Sequence, residues 1–412
     1  MKKKIIFIYW SIFLLLFLSI IELSFVSAGE ISDCGTLDTE NTIYTLTNNV
    51  NSTDTCFNIT ANNITLDCQG YEINYSSDGG NNEHGVYSTS NSSTIKNCNI
   101  VEGVIVGNFD SAIYFNNAKN GIINNNIITT SGISSYGIYL STNSNNNTIS
   151  NNTITTSEEY AHGINLYSNT NNNLFLGINV NTNNIYANTI NVDDGDNNFI
   201  IIDSILNSSL AEELFIGPFS MGGTWNFTNV TRSDGNPINA HWRTDIGTLN
   251  MMWYLDINVT NSTNVLENVN VTSYDVNNDY QFSTLTGSNG QTRQILLEYQ
   301  SIDNVKTYFS NYTINTLLSE YDDDSQSINM SVNKQLNIIL IPTLILYEKF
   351  SVTGQTVYNI MNSAGAGLGS FMNYLSQSIF GFLVLIAVIC VFSIIGYALA
   401  QTIIESVKNS RH

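Results

Sequence analysis

The sequence predicts an all-β chain with a parallel β-helix, then an antiparallel β-sandwich, and one C-terminal transmembrane helix. Three observations predict this order. Short apolar segments recur every 25 to 27 residues in the first half, longer alternating strands follow from about Trp225, and an uncharged apolar run extends from Ile379 to Ala400.

The repeat consists of two interleaved series of segments with the same period. The first comprises residues 93–100 (STIKNCNI), 120–127, 147–154, 173–180 and 198–205, and the second comprises 85–88 (GVYS), 112–115, 137–140, 163–166 and 189–192. Apolar and polar residues alternate within the segments, as in half-buried strands. The alignment predicts three interior columns: Ile113, Ile138, Ile164 and Ile190; Phe115, Leu140, Leu166 and Val192; and Ile95, Ile122, Ile149, Phe175 and Ile200.

The segments between the apolar runs predict how the units connect. They are rich in Asn, Ser, Thr and Gly, which suit turns, and no unit holds the helix-patterned stretch that a βαβ crossover needs. Each unit is therefore predicted to form one coil of a solenoid, with successive coils stacked ~4.8 Å apart. Asn97, Asn124 and Asn151 recur at one turn and are predicted to form a ladder of stacked amides.

The opening of the repeat carries a recognisable pattern. It reads Cys34-Gly35-Thr36-Leu37, then Tyr44-Thr45-Leu46, then NITLDCQG at residues 63–70, followed by coils such as NTISNNTI. With these motifs, residues 57–209 resemble the right-handed parallel β-helix repeat of the pectate-lyase-like superfold, as found in prokaryotic and archaeal-type surface proteins. The resemblance implies the right-handed fold and is nearly silent on function.

The pattern changes in the second half of the chain. Residues 210–224 are predicted to be a linker, and residues 225–345 contain alternating runs such as YLDINV (254–259) and RQILLEY (293–299) separated by turn signals. Short strands at this spacing predict an antiparallel β-sandwich. This stretch resembles the Ig-like, carboxypeptidase-regulatory-like modules that follow such β-helices.

Targeting signals predict a cell-surface protein anchored in the membrane. Residues 1–28 have the charged, apolar and small-residue regions of a signal peptide. The alternative interpretation is an uncleaved membrane anchor. Residues 379–400 are long enough to span a bilayer, after a stalk at 346–378. Because Lys408 and Arg411 lie in the tail at 401–412, the positive-inside rule places that tail in the cytoplasm and the preceding chain outside.

Charge and composition limit the classes of partner that are expected. The net charge is −21, from 34 acidic and 13 basic residues, so nucleic acid is not an expected partner, because phosphate binding needs clustered Lys and Arg. No cofactor or metal is expected, although residues 193–196 and 322–324 could bind calcium weakly and are otherwise solvated loops. Acceptor sequons for N-glycosylation lie only in the predicted ectodomain: Asn51, Asn58, Asn63, Asn74, Asn91, Asn146, Asn151, Asn207, Asn226, Asn229, Asn258, Asn261, Asn270, Asn311 and Asn329.

Four cysteines near the start of the ectodomain predict two disulfides. Cys68 and Cys98 fall on like strands of adjacent coils and are predicted to pair. Cys34 and Cys56 would then close an N-terminal cap formed by residues 29–56. Links between Cys34 and Cys68 and between Cys56 and Cys98, or free thiols at Cys68 and Cys98, remain open at this stage.

Two groups of side chains are candidates for chemistry. Tyr87, Tyr114 and Tyr139 form an outward column that could stack against sugar rings, or could simply stabilise the sheet. Glu83 and Asp110 are equivalent in adjacent coils, with His84 beside them, and match a carboxylate pair of a retaining glycosidase or a calcium site. The alternative is two solvated turn acids.

The sequence leaves two functions open. The first is a membrane-anchored cell-surface glycoprotein with a structural, adhesive or glycan-binding role, whose partners are the membrane and either glycans or other surface proteins. The second is a membrane-tethered, glycoside hydrolase-like enzyme that uses Glu83 and Asp110. Lys96 and Lys119 are the only basic residues of residues 57–209 apart from histidine, which disfavours an enzyme that acts on uronate polymers.

Overall fold

The computed structural model describes residues 27–103, 108–244 and 246–343. Every regular element in these ranges is a β-strand. No helix within them is long and apolar enough to cross a membrane. The predicted stalk, transmembrane segment and tail, and most of the signal peptide, lie outside the described residues.

The solenoid is built from parallel strands that stack in columns. One column is a nine-stranded parallel sheet formed by Gly35–Leu37, Phe57–Ile59, His84–Ser88, Ser111–Asn116, Tyr136–Ser141, Ile164–Tyr167, Ile190–Val192, Leu214–Ile216 and Ala240–Trp242. Its register pairs Ile113 with Ile138 and Phe115 with Leu140, and the next coils continue both rows. The predicted parallel β-helix and its first two interior columns are therefore confirmed.

A larger sheet supplies two further columns of the coil. The first contains Ser27–Ile31, Thr42–Leu46, Thr65–Asp67, Thr94–Lys96, Ile122–Asn124, Thr148–Ser150, Asn173–Leu176, Phe199–Ser208, Thr224–Thr231 and the start of Thr248–Thr260. The second contains Val50–Asn51, Glu72–Tyr75, Asn99–Glu102, Ile127–Thr130, Thr153–Thr156, Asn179–Thr182 and the end of Phe199–Ser208. A short parallel pair, Gly195–Asp196 and Ser220–Gly222, lies beside them.

The third predicted interior column is wrong by one residue at two places. Ile123, not Ile122, pairs with Ile95, and Ile201, not Ile200, pairs with Phe175. Both replacements are fully buried, whereas Ile122 is 42 % and Ile200 is 41 % exposed. Each position lies in a run of consecutive isoleucines, so hydrophobicity alone does not decide which one faces inward.

The solenoid is longer at both ends than the sequence predicted. Residues 210–224 are not a linker, because Leu214–Ile216 continues the nine-stranded sheet and Thr224–Thr231 pairs in parallel with Phe199–Ser208. Trp225 and Phe227 are fully buried in the rows that contain Phe199 and Ile201. At the other end, residues 29–56 are not a separate cap, since Thr42–Leu46 already pairs with Thr65–Asp67.

The strand Thr248–Thr260 joins the solenoid to an antiparallel part. Its first residues pair in parallel with Thr224–Thr231, and most of its length pairs antiparallel with Gln291–Ile302, which in turn pairs with Val305–Tyr308. Its end pairs in parallel with Lys334–Ile339. The antiparallel region is thus present, although it begins about 25 residues later than the predicted start at residue 225.

A second, four-stranded antiparallel sheet lies in the same part of the chain, in the order Tyr280–Leu285, Asn270–Tyr274, Tyr312–Leu317 and Asp324–Ile328. The buried Tyr312 hydroxyl donates to the Leu297 carbonyl, 2.6 Å away, and so links this sheet to Gln291–Ile302. Residues 318–322 belong with 341–343 to a separate unit, in which Tyr321 forms a β-bridge with Pro342.

Both predicted disulfides are confirmed. Cys34 bonds Cys56 and Cys68 bonds Cys98, with Cα atoms 4.7 and 4.8 Å apart. Each bond links neighbouring coils, so the first coils are covalently tied to each other.

The predicted asparagine ladder needs a correction at Asn124. The Asn125 amide donates to Asn97 Oδ1 at 2.8 Å, whereas the Asn124 amide donates to Ser150 Oγ at 2.7 Å. Asn97, Asn125 and Asn151 share a left-handed backbone, with φ of 56°, 57° and 53°. Asparagine tolerates this conformation better than most residues, so the turn selects Asn125, and Asn124 belongs to the preceding strand.

Candidate functional site

An open cleft of about 770 Å³ lies on the outer face of the nine-stranded sheet, beside its first four strands. Its lining includes Glu83, His84, Tyr87 and Tyr114, together with the Cys34–Cys56 disulfide. We call it the Tyr87 cleft. Four of the sequence-predicted site residues therefore meet in one place.

A change of side-chain size along one outward row shapes the cleft. The register places Thr36, Asn58, Tyr87 and Tyr114 in successive strands. The row thus steps from small polar side chains to large rings between Asn58 and Tyr87. Thr36 and Asn58 line the low part of the cleft, and Tyr87 forms a wall beside it.

The three predicted tyrosines form a ladder, but they do not share one role. The rings of Tyr114 and Tyr139 stack 4.5 Å apart at 15°, so these two rings cover each other's faces. Tyr87 is tilted by 54° against Tyr114, and its other neighbour in the row is Asn58. Tyr87 and Tyr114 line the cleft, and Tyr139 does not. Tyr139 therefore acts as support for the ladder.

Hydrogen bonds fix the two tyrosine rings at the cleft. The Tyr87 hydroxyl accepts a hydrogen bond from the Asn116 amide at 3.1 Å, and the Tyr114 hydroxyl shares one with Ser141 Oγ at 3.1 Å. Both partners lie on neighbouring strands of the same sheet. The rings are thus held in place before any ligand arrives, which lowers the entropy that binding must remove.

His84 packs among these rings and is nearly buried. Its ring stacks on Tyr87 with centroids 5.7 Å apart and meets the edge of Tyr114 at 5.0 Å. A Cβ on the next residue, Gly85, would lie 2.5 Å from Ile100 Cγ2, so only glycine fits there. Burial lowers the pKa of His84 to about 4, which makes the imidazole neutral at pH 7. Hydrogen bonds with the backbone of Glu83 and Ser111 oppose part of this pKa shift.

Glu83 and Asp110 are adjacent in the stack but are not a pair of exposed carboxylates. Asp110 is fully buried and accepts hydrogen bonds from the Glu83 backbone N–H at 2.8 Å and from Ser76 Oγ at 3.0 Å. Glu83 is half-buried and lines the cleft. The predicted carboxylate pair is therefore wrong for Asp110, which holds the backbone of Glu83 and cannot meet a ligand.

Burial raises the pKa of both carboxyls. Burial and the nearby Glu102 raise the pKa of Asp110 to about 7. The pKa of Glu83 is also raised, first by burial and then by the charges of Asp110, Asp78 and Asp54. Of these groups, Asp54 lines the cleft together with Glu83.

Sequence reasoning missed Glu102. It is only 4 % exposed, and it accepts hydrogen bonds from the backbone N–H groups of Ser131 and Gly132 and from Ser135 Oγ. The signal was present, because strand alternation from Ile100 places residue 102 on the inner face. Its partner Tyr75 in the adjacent strand is also fully buried.

A second buried histidine, His162, lies apart from the cleft. His162 stacks on Tyr136 at 5.5 Å and accepts the Asn188 N–H at Nδ1, far along the sheet from His84. Among the described residues, no group of three or more His, Cys, Asp or Glu side chains is arranged to hold a metal ion. The acidic runs at 193–196 and 322–324 thus lack a described set of such ligands.

Comparison of the chain with protein-family models, with curated proteins and with solved structures found no match. The site must therefore be interpreted from its own geometry.

The cleft offers two kinds of chemistry. The Tyr87 ring provides an apolar wall, and the surrounding amide, hydroxyl and carboxylate groups provide hydrogen bonds, a combination that suits a polyhydroxylated ring. Glu83 could in addition donate a proton, because its raised pKa favours the protonated form more than in water.

Proposed function

We propose that this chain is a membrane-anchored cell-surface glycoprotein that binds glycans in the Tyr87 cleft. The observation that carries the proposal is the tyrosine ladder that ends at Tyr87, above the small residue Asn58 and inside an open cleft. An aromatic ring next to hydrogen-bonding groups matches a sugar, which has both an apolar face and hydroxyls.

The wider setting is part of the same proposal. A right-handed solenoid, an Ig-like or carboxypeptidase-regulatory-like module after it, glycosylated sequons and a C-terminal anchor would together form an envelope component with a structural or adhesive role. The cleft lies at the first four of nine strands, and the antiparallel region follows the opposite end of the stack. With strands ~4.8 Å apart, roughly 30 Å separates the cleft from the antiparallel region.

A glycan array probed with the full chain in detergent tests this proposal. Tyr87→Ala is expected to reduce glycan binding at least roughly tenfold, since stacked aromatic anchors often contribute more than 1.4 kcal/mol. The matched control is Tyr280→Ala, which removes an equally large, 60 % exposed ring in the antiparallel region. Equal binding by both variants and the unmodified chain would contradict the assignment of the cleft.

The second candidate function is a glycoside hydrolase-like enzyme. The observation in its favour is Glu83, which lines the same cleft and has a raised pKa. Asp54, not Asp110, would then be its carboxylate partner, because Asp110 is fully buried. A broad hydrolase screen on the full chain decides the matter: turnover that disappears in Glu83→Gln supports an enzyme, and glycan binding without turnover supports the binding protein.

A further inference from the structure

We propose that Asn58 is an N-glycosylation site whose attached sugar packs against Tyr87 and closes the Tyr87 cleft to free glycans. This inference rests on the proposed glycan-binding function, because it names how the same cleft is regulated. It follows from the position of Asn58 in the cleft, from its unengaged side-chain amide, and from the register that places Tyr87 beside it.

The fold places one acceptor sequon inside the cleft. This sequon reads Asn58-Ile59-Thr60. Ile59 is fully buried, whereas Asn58 is half-buried on the outer face of the sheet and lines the cleft. Of the fifteen sequon asparagines, Asn58 alone is in that lining as the structure describes it. A sugar on Asn58 therefore starts within the cleft, and a sugar on any other sequon starts outside it.

The Asn58 side chain is free to carry a sugar. Attachment replaces one N–H of the amide nitrogen Nδ2, and within the described residues no hydrogen bond engages this side chain. Other sequon asparagines differ, since the Asn63 amide donates to Asn41 Oδ1 at 2.8 Å and the Asn229 amide donates to Asp203 Oδ1 at 2.7 Å. A sugar on Asn58 competes with no such contact.

The register puts the first sugar against the Tyr87 ring. Asn58 and Tyr87 are direct neighbours on adjacent parallel strands, about 4.8 Å apart along the stack. Because tyrosine is the longer side chain, a sugar ring that begins where the asparagine ends lies level with the aromatic ring. Its apolar face can then pack on the aromatic face. Thr36, on the far side of Asn58 in the row, is short and leaves room there.

The attachment is a glycosyl transfer from a lipid-phosphate-linked oligosaccharide. Nδ2 of Asn58 forms a bond to C1 of the first sugar, and the bond from C1 to the phosphate oxygen breaks with its electron pair leaving on that oxygen. Nδ2 gives one proton to a base of the transferase. Asn58 lies in Phe57–Ile59, which pairs with a strand on each side, so the transfer precedes folding of these coils.

Glycopeptide mass spectrometry tests the modification on the full chain, made in a host that N-glycosylates secreted proteins and purified in detergent. We expect a sugar on Asn58 in most copies. Thr60→Ala should remove it and Thr60→Ser should keep it, because the acceptor motif requires Ser or Thr at this position. Thr60 is exposed and is not part of the cleft lining. An unmodified Asn58 in a chain whose other sequons carry sugar would overturn the proposal.

A glycan array tests the closure of the cleft. Thr60→Ala should bind free glycans at least roughly threefold more strongly than the glycosylated chain, since a tethered sugar competes at about millimolar effective concentration. Ser331→Ala is the matched control, because it removes the exposed sequon of Asn329 in the antiparallel region and should bind like the unmodified chain. Equal binding by Thr60→Ala and by a chain with sugar on Asn58 would overturn the closure.

Thermal unfolding separates this inference from the glycan-binding function. Loss of the sugar in Thr60→Ala should lower Tm by roughly 1–3 °C, and the difference should vanish in the Tyr87→Ala background, where the ring that the sugar contacts is gone. An equal difference in both backgrounds would overturn the inference and leave the glycan-binding function to the array. Array binding by none of the variants would remove that function, while the coupling would still support the sugar on Tyr87.

Discussion

Single residues decide which face of each coil is core, because a strand points successive side chains to opposite sides. Ile122 and Ile123 illustrate this. Both belong to the strand Ile122–Asn124 and have the same side chain, yet Ile123 is fully buried and Ile122 is 42 % exposed. Their sequence context, Gly-Ile-Ile-Asn, gives no preference for either orientation.

This neighbouring pair provides a test of the register. Ile123→Asp should destabilise the protein by several kcal/mol or more, because it buries an unpaired carboxylate between Ile95 and Ile149. Ile122→Asp should change the stability by less than about 1 kcal/mol. Urea unfolding of the full chain, with hydrogen exchange by peptide, measures both. A larger effect at Ile122 would restore the register that the sequence alone suggested.

Asp110 makes the stability depend on pH. Its folded pKa of about 7 lies above the ordinary value of 3.8, so its contribution is fully present below about pH 4 and is lost as the pH rises through 7. The carboxyls that face it are Glu102 and Glu83, and none of its described hydrogen-bond partners is a cation. Between pH 4 and 7, the unmodified protein should lose roughly 2–4 kcal/mol of stability through this carboxyl. Asp110→Asn should not show that loss.

Urea unfolding at pH 4, 5.5 and 7 checks the Asp110 prediction. His84 and His162 act in the opposite direction, since their lowered pKa values stabilise the fold above about pH 6.5 and that contribution is lost on acidification. Both histidines are present in the unmodified protein and in Asp110→Asn, so their contributions to the pH dependence cancel when the two are compared. Asp196→Asn, at an exposed position of the short strand Gly195–Asp196, is the control. An unchanged pH slope in Asp110→Asn would show that the buried carboxyl does not hold a proton.

At the scale of the coil, buried asparagines join one turn to the next. Asn152 Oδ1 accepts both the backbone N–H and the side-chain amide of Asn126, and its own amide donates to the Ile123 carbonyl. Asn126 Oδ1 in turn accepts the Cys98 N–H. These side chains satisfy backbone groups at bends where the ladder bonds between strands are interrupted.

Replacing one of these buried asparagines tests this role. Asn152→Leu keeps the volume but leaves the Asn126 N–H and the Ile123 carbonyl without this partner, and should cost roughly 2–4 kcal/mol. Thr153→Ser changes an exposed residue of the next strand, keeps the Asn151 sequon, and should cost less than about 1 kcal/mol. Thermal unfolding measures both. Because coils contact only their neighbours, hydrogen exchange should first increase in residues 120–160. Uniform loosening of the solenoid would contradict that local picture.

Sequence periodicity was sufficient for the coil but not for its ends or its site. The isoleucine columns predict the middle coils because β-branched residues repeat there at constant spacing. The last coils lose that signal, since Trp225 and Phe227 fill the interior that isoleucines fill elsewhere. The cleft depends on the step from Asn58 to Tyr87 across 29 residues, and the burial of Asp110 depends on contacts with Ser76 in another coil. Neither the cleft nor the burial of Asp110 can be predicted from the repeat pattern.

At the scale of the whole molecule, strand pairing continues without a break from the cleft end of the solenoid into the antiparallel region. The two disulfides tie the coils around the Tyr87 cleft and are typical of oxidising compartments. The strand Thr248–Thr260 belongs to both the solenoid and the antiparallel region, so these two parts share one continuous sheet. A pull or a contact at the cleft end would therefore be transmitted through hydrogen-bonded strands and not through a flexible linker.

Protease treatment of intact cells tests the predicted membrane topology. With residues 379–400 in the bilayer and Lys408 and Arg411 inside, protease added to intact cells should digest the large N-terminal part. A tag placed after His412 should then remain on a small membrane-bound fragment, and it should be lost only when the cells are permeabilised. A cytoplasmic marker protein serves as the control for intact cells. Release of the full-length chain into the medium, or loss of the tag from intact cells, would contradict the anchor or its orientation.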